Sequence, residues 1–394
     1  MPQPDISFQT EEYLERVAKV HKEMEARGLD LLIATDPSNM AWLSGYDGWS
    51  FYTHQAVIVP LGDTPIWWGR MMDSWGAELT VWLPKDRIIG YPDIYVQNPK
   101  QHPHSHLADL LKEKGLAKGR IGVELDNYYY SAKAHQELTK GLPDAQIVDA
   151  TALVNWQRAV KSKTELAYMR RAARIVERMH DRIIEVIEPG MRKNELIAEI
   201  YDAGIRGTPH YGGDYPAIVP LAPSGIDATA PHLTWNDWPI RPGEGTFFEI
   251  AGCHRRYHVP LCRTIWLGEP PDEVLRAEAA LLEGLENGID AARAGNRACD
   301  IAHALYDALG RAGIERDGRC GYPIGISYPP DWGERTISIR KSDETVLEPG
   351  MTFHFMPGLW MDEWGLEITE SIVIQEAGPA LCIADYPREL FVKR

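Results

Sequence analysis

The chain has 394 residues, of which 41 are basic and 57 acidic, so its formal net charge at pH 7 is −16. This length is typical of two domains, and 44% hydrophobic with 25% charged residues is typical of a folded protein rather than a disordered one. The acidic balance, with no cluster of lysine and arginine, argues against a nucleic-acid partner. The 13 tryptophans against 7 phenylalanines are unusual, and an excess of indole rings suits a pocket for a cationic ligand.

Neither export nor membrane insertion is predicted. The five cysteines include no CxxC pair and are odd in number, which favours a reducing cytosol over a disulfide framework or a zinc site. The N-terminal segment is acidic and lacks an apolar signal sequence, and no run approaches the roughly 18 apolar residues that span a bilayer. We therefore expect a cytoplasmic protein that does not act at a membrane.

The first half of the chain alternates helices with strands. An amphipathic helix is predicted over residues 9–28, with Thr10 as its N-cap and Gly28 at its end. A second helix is predicted over residues 105–114. The predicted strands are 29–35, 55–60, 64–69, 119–125 and 145–151. This alternation predicts an α/β domain over residues 1–155.

The second half, residues 156–394, separates its helices from its strands. Helices are predicted over 164–187, within 187–205, and over 272–293 and 298–312. Strands are predicted in YPAIVP (215–220), GTFFEIAGC (245–253), HVPLCRTIWLG (258–268), MTFHFMPGLW (351–360) and LEITESIVI (366–374). This segregation predicts an α+β domain with an antiparallel sheet.

Five motifs of the second half resemble, in the same order, those of the pita-bread family, which includes methionine aminopeptidase, the proline peptidases and creatinase. They are SGIDATAPH (224–232), the GTFFEIAG…CRT hairpin (245–264), GYPIG (321–325), VLEPGMTFHFMPG (346–358) and GLEITESIVI (365–374). The resemblance covers residues 160–390 and implies a pita-bread domain there. SGIDATAPH is similar to the family's strand that carries a catalytic histidine, here His232. The first half is similar to the N-terminal domain that creatinase and prolidase place in front.

The same resemblance implies that the metal site of the family has been lost. The peptidases hold two metal ions with two Asp, one His and two Glu, and these positions correspond here to Glu249, Pro260, Tyr322, Met356 and Thr369. Only Glu249 keeps a carboxylate, although Glu367 and Glu370 flank the last position. Because one carboxylate cannot assemble a two-metal site, we expect a metal-independent enzyme without a cofactor.

Glu249 and His232 are the predicted catalytic residues. In an apolar cavity the carboxylate of Glu249 is costly unless a cationic ligand, such as an amidinium, pairs with it. Glu249 would then act as nucleophile on the amidine carbon or as base for water, while His232 carries protons to the leaving nitrogen. A satisfied core histidine and a salt-bridged sheet residue are the structural alternatives for the two side chains.

Aromatic and sulfur-containing side chains are predicted to rebuild the former metal cavity as a cation-binding box. Those in the motif segments are Trp235, Tyr257, His258, Tyr322, Tyr328, Met356 and Trp360. In the first half, the loop 45–55 contributes Trp49, Phe51 and Tyr52, followed by His54. Three aromatic side chains in four residues would form an exposed hydrophobic patch if no partner covered them. The equivalent loop of creatinase reaches the neighbouring chain's active site, so the resemblance implies a homodimer with shared sites.

Two stretches resemble the ectoine hydrolases more closely, namely DPSNMAWLSGYDGWSFYTHQAVIV (36–59) and EIAGCHRRYHVPLCRT (249–264). This resemblance implies hydrolysis of the cyclic amidine ring of ectoine to N-acetyl-L-2,4-diaminobutyrate, with hydroxyectoine as a related substrate to consider. Ectoine is a compact zwitterion, and its carboxylate needs a donor. Arg335, Arg340 and backbone N–H groups are open alternatives for that role.

Three other functions stay open on the sequence. The first is a creatinase-like amidinohydrolase, although creatinases carry Glu at the position of Cys262 and Arg at the position of Thr53. The second is a non-catalytic pita-bread domain that binds peptides, as in a histone chaperone, and the retention of His232 and Glu249 speaks against it. The third is a metal-dependent relative such as the sulfonium lyases of this fold.

Overall fold

The computed structural model of the chain describes residues 6–394. These residues form two units, one that ends at Arg158 and one that covers Ala159–Arg394. Within the described range, no helix is both long enough and apolar enough to cross a membrane. The five cysteines, all in this range, are free thiols.

The first unit is built around a six-stranded mixed sheet. Its strands are β1 (Leu31–Ala34), β2 (Ala56–Pro60), β3 (Ile66–Arg70), β4 (Ile88–Tyr91), β5 (Gly119–Val123) and β6 (Ala145–Asp149). They lie in the order β4-β3-β2-β1-β5-β6, with β1 parallel to β5 and antiparallel to β2. The helices are α1 (Thr10–Arg27), α2 (Pro37–Ser44), α3 (Ser74–Thr80), α4 (Pro103–Glu113), α5 (Ala132–Gly141) and α6 (Leu153–Gln157). The predicted α/β class of this half is confirmed.

Helix α1 ends at the predicted glycine. Gly28 adopts a φ of 64°, and its N–H donates to the carbonyl of Glu25 at 3.1 Å, which satisfies one of the last carbonyls of the helix. The predicted N-cap is wrong by one residue, because the extended residue before the helix is Gln9 and Thr10 is already helical. Glu11 and Glu12 in the first turn favour this start through the positive end of the helix dipole.

The second unit combines four helices with a mainly antiparallel sheet, so the predicted α+β class is confirmed. The helices are α7 (Lys163–Val186), α8 (Lys193–Arg206), α9 (Asp272–Ala291) and α10 (Ala298–Arg311). The strands are β7 (Gly245–His254), β8 (Tyr257–Leu267), β9 (Gly321–Tyr328), β10 (Asp331–Gly333), β11 (Thr352–Phe355), β12 (Gly358–Trp360), β13 (Gly365–Glu367), β14 (Glu370–Val373), β15 (Leu381–Cys382) and β16 (Phe391–Lys393). The main path of the sheet is β15-β14-β11-β9-β8-β16, with β7 on β8 and β10 on β9, while β12 pairs with β13.

The hairpin β7–β8 is the centre of this unit. Its strands pair without a break from Gly245 opposite Trp266 to His254 opposite Tyr257, and every residue of both strands is buried. Arg255 and Arg256 form the two-residue turn, both at positive φ, as a tight turn matched to the twist of the strands requires. Because both faces of the hairpin are covered, a polar side chain on it lies in a low-dielectric interior.

Helix α7 packs directly against the hairpin at Gly252. A Cβ atom there would overlap the carbonyl oxygen of Ala172 and lie 2.7 Å from the backbone nitrogen of Val176. We therefore expect Gly252→Ala to lower the free energy of unfolding by about 1–3 kcal/mol, since the helix must move. Urea unfolding measures the change.

Gly310→Ala is the control, because Gly310 is helical with open space around it, and alanine there should stabilise by about 0.5–1 kcal/mol. Equal effects of the two substitutions would contradict the packing argument.

Two predicted strands are wrong. Residues 215–220 form no strand, because Pro216 and Pro220 have no N–H to donate to a neighbouring strand. Residues 224–232 form a 3₁₀ helix, Gly225–Thr229, followed by a turn that contains His232. Gly225 enters this helix at a φ of 57°, which is incompatible with an extended strand.

Candidate active site

Glu249 lies in the middle of β7 with a buried side chain. Its backbone exchanges two hydrogen bonds with Leu221, at 3.0 and 3.1 Å, so the segment that leads to His232 is attached to the strand at this residue. Burial raises the pKa of the Glu249 carboxyl well above its usual range, and the negative charge of Glu367 raises it further. A cation brought next to Glu249 would reverse this shift and favour the carboxylate.

The second buried carboxyl group belongs to Glu367, the last residue of β13. It is 1% exposed, and burial raises its pKa from an ordinary 4.5 to about 7. Its Oε2 atom has no hydrogen-bond partner among residues 6–394. Glu370, which flanks the same family position, is paired instead with Arg263 at 2.7 Å and Arg388 at 3.2 Å. Of the two flanking glutamates, only Glu367 therefore offers its carboxyl group to the site.

A chain of hydrogen bonds passes beside Glu249. Trp332 Nε1 donates to the Tyr322 hydroxyl at 2.8 Å, and that hydroxyl lies 3.0 Å from His354 Nδ1. His354 Nε2 lies 2.8 Å from Thr369 Oγ1, which also accepts the N–H of Cys262 at 2.8 Å. The indole N–H is only a donor, so Tyr322 accepts from Trp332, while the direction of the two hydrogen bonds of His354 depends on which ring nitrogen carries the proton.

His354 is held neutral beside the Glu249 carboxyl. Its Nδ1 atom is 3.9 Å from Glu249 Oε1, and the imidazole is completely buried on β11. Burial, helped by the nearby Arg319, lowers the pKa of His354 to about 3. The imidazole therefore contributes no positive charge near pH 7, and Glu249 has no protonated histidine as a counter-ion.

Two arginines occupy the faces of aromatic rings predicted to bind a cation. The guanidinium of Arg319 lies 4.6 Å from the centre of the Tyr322 ring, and that of Arg316 lies 4.4 Å from the Trp360 ring. Burial lowers the pKa of Arg316, and its Nη1 atom has no hydrogen-bond partner in the described part of the chain. The predicted box therefore holds resident cations, one of which has an unused donor.

The structure gives several predicted binding residues contacts of their own. His258 is fully buried, its Nδ1 lies 2.9 Å from the carbonyl of Arg256, and its Nε2 accepts the N–H of Ala217 at 2.9 Å. Burial lowers the pKa of His258 to about 3, as expected of a neutral core histidine. The Tyr257 hydroxyl donates to Glu165 Oε1 at 2.7 Å. Tyr328 is buried 5.7 Å from the guanidinium of Arg256, and Met356 is half-buried just after β11.

Other predicted residues lie at the surface of their unit. His232 is exposed in its turn, and Trp235 is half-buried three residues later. In the first unit, Trp49 and Tyr52 are exposed, while Phe51 is half-buried and its ring contacts that of Trp49 at 4.7 Å. The two suggested carboxylate donors, Arg335 and Arg340, are also exposed, and Arg340 Nε donates to Ser338 Oγ at 3.0 Å.

The residues at the family's metal positions do not fit two metal ions. Pro260 offers only its carbonyl, which accepts the Ser371 hydroxyl at 2.6 Å. The phenol of Tyr322 and the hydroxyl of Thr369 are engaged in the hydrogen-bond chain, and Met356 supplies a thioether. At four of the five positions, neutral groups therefore replace the carboxylate and imidazole ligands, and Glu249 alone of the five keeps a carboxyl group.

His354, Arg316 and Arg319 were not predicted from the sequence, and Glu367 was predicted only to flank Thr369. Strand periodicity points to two of these four, because residues two apart face the same side of a sheet. His354 is two residues before Met356, and Glu367 is two residues before Thr369. No local pattern indicates the arginines, which lie in the loop between α10 and β9.

Comparison with protein-family models assigns both halves of the chain. The model described as metallopeptidase family M24 matches residues 167–376, and the model described as creatinase/prolidase N-terminal domain matches residues 16–160. Together the two models cover most of the chain. They confirm the predicted order of a creatinase-type domain followed by a pita-bread domain.

Similar proteins match the chain over its whole length. An ectoine hydrolase of Halomonas elongata is 60% identical over 400 residues, which is 100% of both chains. An uncharacterized hydrolase/peptidase of Sinorhizobium fredii is 43% identical and covers 98% of this chain and 99% of its own. Among solved structures, a dipeptidase from Pyrococcus horikoshii has a TM-score of 0.81 at 23% identity, covering 96% of this chain and 100% of its own. At that identity the structural likeness establishes the fold alone.

Proposed function

This chain belongs to the M24 metallopeptidase family as a hydrolase of C–N bonds, and from that premise we propose that it opens the cyclic amidine ring of ectoine with water. The product is N-acetyl-L-2,4-diaminobutyrate. The observation that carries the proposal is the pair of buried carboxyl groups, Glu249 and Glu367, at a position where relatives hold metal ions. The identity of 60% to the ectoine hydrolase of Halomonas elongata supports the same substrate.

The amidinium group of the substrate fits the two carboxyl groups. Both have pKa values raised by burial, so without a ligand they hold protons that an ordinary glutamate would have lost. A delocalised cation between them supplies the missing counter-charge and offers N–H donors, for instance to the unpartnered Oε2 of Glu367. Substrate binding would therefore ionise Glu249 where its carboxylate is needed.

The carboxylate of the substrate fits the two arginines. Arg316 has a buried Nη1 atom without a partner, and Arg319 stacks on Tyr322, whose hydroxyl is in the chain beside Glu249. We assign the substrate carboxylate to this pair in place of Arg335 and Arg340, whose side chains are exposed. A zwitterion of the size of ectoine then places each of its charges against the opposite charge.

The reaction needs one base and one acid. Ionised Glu249 takes a proton from water as the water oxygen bonds to the amidine carbon, which gives a neutral tetrahedral intermediate. The proton on Glu249 then passes to the departing ring nitrogen and the C–N bond breaks. The regenerated Glu249 carboxylate takes the hydroxyl proton as the amide carbonyl forms and passes it to the amine nitrogen. The amine departs as an ammonium, so amidinium plus water becomes amide plus ammonium. In the alternative mechanism, Glu249 acts as a nucleophile and forms a covalent bond to the amidine carbon before water attacks. Mass spectrometry of the quenched enzyme would then find substrate attached to the peptide that contains Glu249.

His232 and the aromatic loop of the first unit are the remaining parts of the proposal. We assign proton exchange with solvent to His232, because its segment is anchored beside Glu249 by Leu221 and is exposed at its far end.

We also propose that the chain forms a homodimer in which Trp49, Phe51 and Tyr52 cover the partner's site. Light scattering in solution tests the dimer, and a monomeric mass would contradict it.

The direct experiment is incubation of the purified full-length protein with ectoine and detection of N-acetyl-L-2,4-diaminobutyrate by mass spectrometry. Parallel reactions contain a chelator, added divalent metals, hydroxyectoine or creatine. We expect product from ectoine at the same rate with and without the chelator. Absence of product under every condition would reject the substrate, and a rate that requires added metal would reject the metal-independent mechanism.

Glu367 makes stability depend on pH in a defined direction. Its folded-state pKa is raised from 4.5 to about 7, so the folded protein keeps a proton that the unfolded chain releases, and stability falls as pH rises through this interval. Glu367→Gln cannot ionise and should flatten that decline, becoming more stable than the wild type at pH 8 but not at pH 4. Urea unfolding across this range measures it. A difference that is independent of pH would contradict the assignment.

A further inference from the structure

Three histidines of the first unit converge next to a pocket. They are His54, which comes just before β2, and His102 and His104 at the start of α4. One ring nitrogen from each histidine lies within 4.8 Å of those of the other two. Among residues 6–394, this is the one group of three or more His, Cys, Asp or Glu side chains close enough to share a metal ion. The centre of the His54 ring is 4.6 Å from that of His102 and 5.0 Å from that of His104. The catalytic proposal uses none of these three side chains.

His104 is the member that packing alone does not explain. It is 0% exposed, and neither of its ring nitrogens has a hydrogen-bond partner in the described part of the chain. Its ring is fixed between Trp68, at 5.5 Å, and Tyr130, at 5.6 Å. Buried imidazole nitrogens are normally satisfied, so an unpartnered one that faces two other histidines indicates a missing ligand.

We propose that His54, His102 and His104 form a binding site for a divalent transition-metal ion of borderline softness, with Zn²⁺, Co²⁺, Ni²⁺ and Cu²⁺ as the class. Imidazole is a preferred ligand of these ions. In a tetrahedral site with Zn–N bonds of about 2.0–2.1 Å, the three nitrogens lie about 3.4 Å apart, so the cluster must contract. His104 is completely buried, whereas His54 and His102 are half-buried and line a pocket, so we assign the movement to these two side chains.

A pocket beside the cluster leaves space for a fourth ligand. This pocket, with a volume of about 260 Å³, is lined in part by His54 and His102, and also by Tyr52, Tyr91 and Tyr95. Three protein ligands with an open position leave a site for water or a small anion, rather than the closed set of four ligands of a structural zinc site. The Tyr91 hydroxyl donates to the carbonyl of His54 at 2.9 Å, which holds the backbone of that ligand in place.

The protonation states are compatible with the proposal. Burial, together with the proximity of the other rings, lowers the pKa of His104 well below its usual range and that of His54 to about 4, so both are neutral near pH 7. His102 Nδ1 accepts the N–H of His104 at 3.1 Å and thereby caps α4. A metal ion bound to His102 Nδ1 takes the lone pair that accepts this hydrogen bond. A metal ion bound to Nε2 moves the ring proton to Nδ1, which then can no longer accept it. Ligation and the cap are therefore mutually exclusive.

The test is metal titration of the untagged, chelator-treated full-length protein. Co²⁺ is followed by its visible absorption, and Zn²⁺ by equilibrium dialysis with elemental analysis. We expect one ion per chain and an affinity at least about tenfold weaker in His54→Gln and in His102→Asn, because each loses one ligand. Asparagine at 102 can still cap the helix, so the second variant removes the imidazole while keeping α4 intact. His104 is left unchanged because it is completely buried, so its substitution would alter the core as well as the cluster.

Two controls locate the ion. His106→Gln removes a histidine of the same helix that lies outside the cluster, and its affinity should equal that of the wild type. Glu249→Gln removes the main carboxyl group of the catalytic proposal, and it should also bind normally. Absence of stoichiometric binding, unchanged affinity in both cluster variants, or loss of binding in either control would overturn the site. Because these readouts do not depend on turnover, they stand even if the ectoine assay fails.

Discussion

Glu249→Gln is expected to lower kcat for ectoine ring opening by about 10³-fold or more, because glutamine cannot accept a proton from water. Glutamine has nearly the same shape as glutamate and can occupy the same place on β7 between strands that are completely buried. Steady-state kinetics with ectoine measure the loss. We expect KM to change much less than kcat, because Glu367 and the two arginines still bind the zwitterion.

The fold of this variant provides the second readout. Burial raises the pKa of Glu249, so its ionisation at alkaline pH opposes folding, and glutamine removes that cost. Glu249→Gln should therefore unfold at the same or a higher temperature than the wild type at pH 8–9. Glu363→Gln, at an exposed carboxyl group of the same unit, is the matched control and should leave both kcat and stability unchanged. Turnover within a factor of about ten of the wild type in Glu249→Gln would remove Glu249 from the mechanism.

Arg263→Met is expected to have the largest effect on stability. The guanidinium is 0% exposed, and all five of its N–H groups are used. Its acceptors are the carbonyls of Cys262, Thr369, Tyr386 and Pro387, and the carboxylate of Glu370 at 2.7 Å. One side chain thus joins β8 to the start of β14 and to the segment before β16.

Removing this arginine leaves Glu370 buried with Arg388 as its one remaining ion-pair partner among residues 6–394, and breaking a buried ion pair in this way costs about 3–5 kcal/mol. Urea unfolding should show that loss. Arg388→Met removes the other arginine on the same carboxylate, but Arg388 is 41% exposed, so its loss should cost only about 0–1 kcal/mol.

The double variant Arg263→Met/Glu370→Leu separates charge from packing. If the cost of Arg263→Met comes from the uncompensated carboxylate, leucine at position 370 should restore a large part of the lost stability. A double variant that is no more stable than Arg263→Met alone would show instead that the cost comes from the lost hydrogen bonds to the four carbonyls. Equal losses in Arg263→Met and Arg388→Met would contradict the role of burial.

The tryptophans, which are unusually numerous in the sequence, have different roles in the folded chain. Trp42, Trp67, Trp68 and Trp332 are core side chains with less than 2% exposure. Trp332 nevertheless contacts the candidate site, since its indole N–H donates to the Tyr322 hydroxyl, which lies 3.0 Å from His354 Nδ1. Trp360 does hold a cation, but that cation is Arg316 of the same chain. The count alone could not distinguish a resident guanidinium from a bound substrate.

Elements that depend on local patterns were determined by the sequence itself. Apolar periodicity placed α1, α7, α9 and α10 to within a few residues, and Gly28 marked the end of α1, because helix propensity and left-handed caps are properties of neighbouring residues. The motif order likewise determined the fold class and identified Glu249 as a carboxylate on a buried strand. The same local logic failed at 215–220 and 224–232, where prolines and a left-handed glycine interrupt runs that otherwise suit strands.

Tertiary structure alone decided which charged side chains lie in the candidate site. Glu367 and Glu370 are three residues apart and equally plausible in sequence, yet only Glu370 meets Arg263, so only Glu367 remains without an arginine partner. His354, Arg316 and Arg319 join Glu249 from other strands and from the loop before β9. His54 likewise meets His102 and His104 across 48 residues of sequence. Charge and hydrogen-bond partners act over a few ångströms in space, and the pairing of distant segments that sets those distances has no signature in the local sequence.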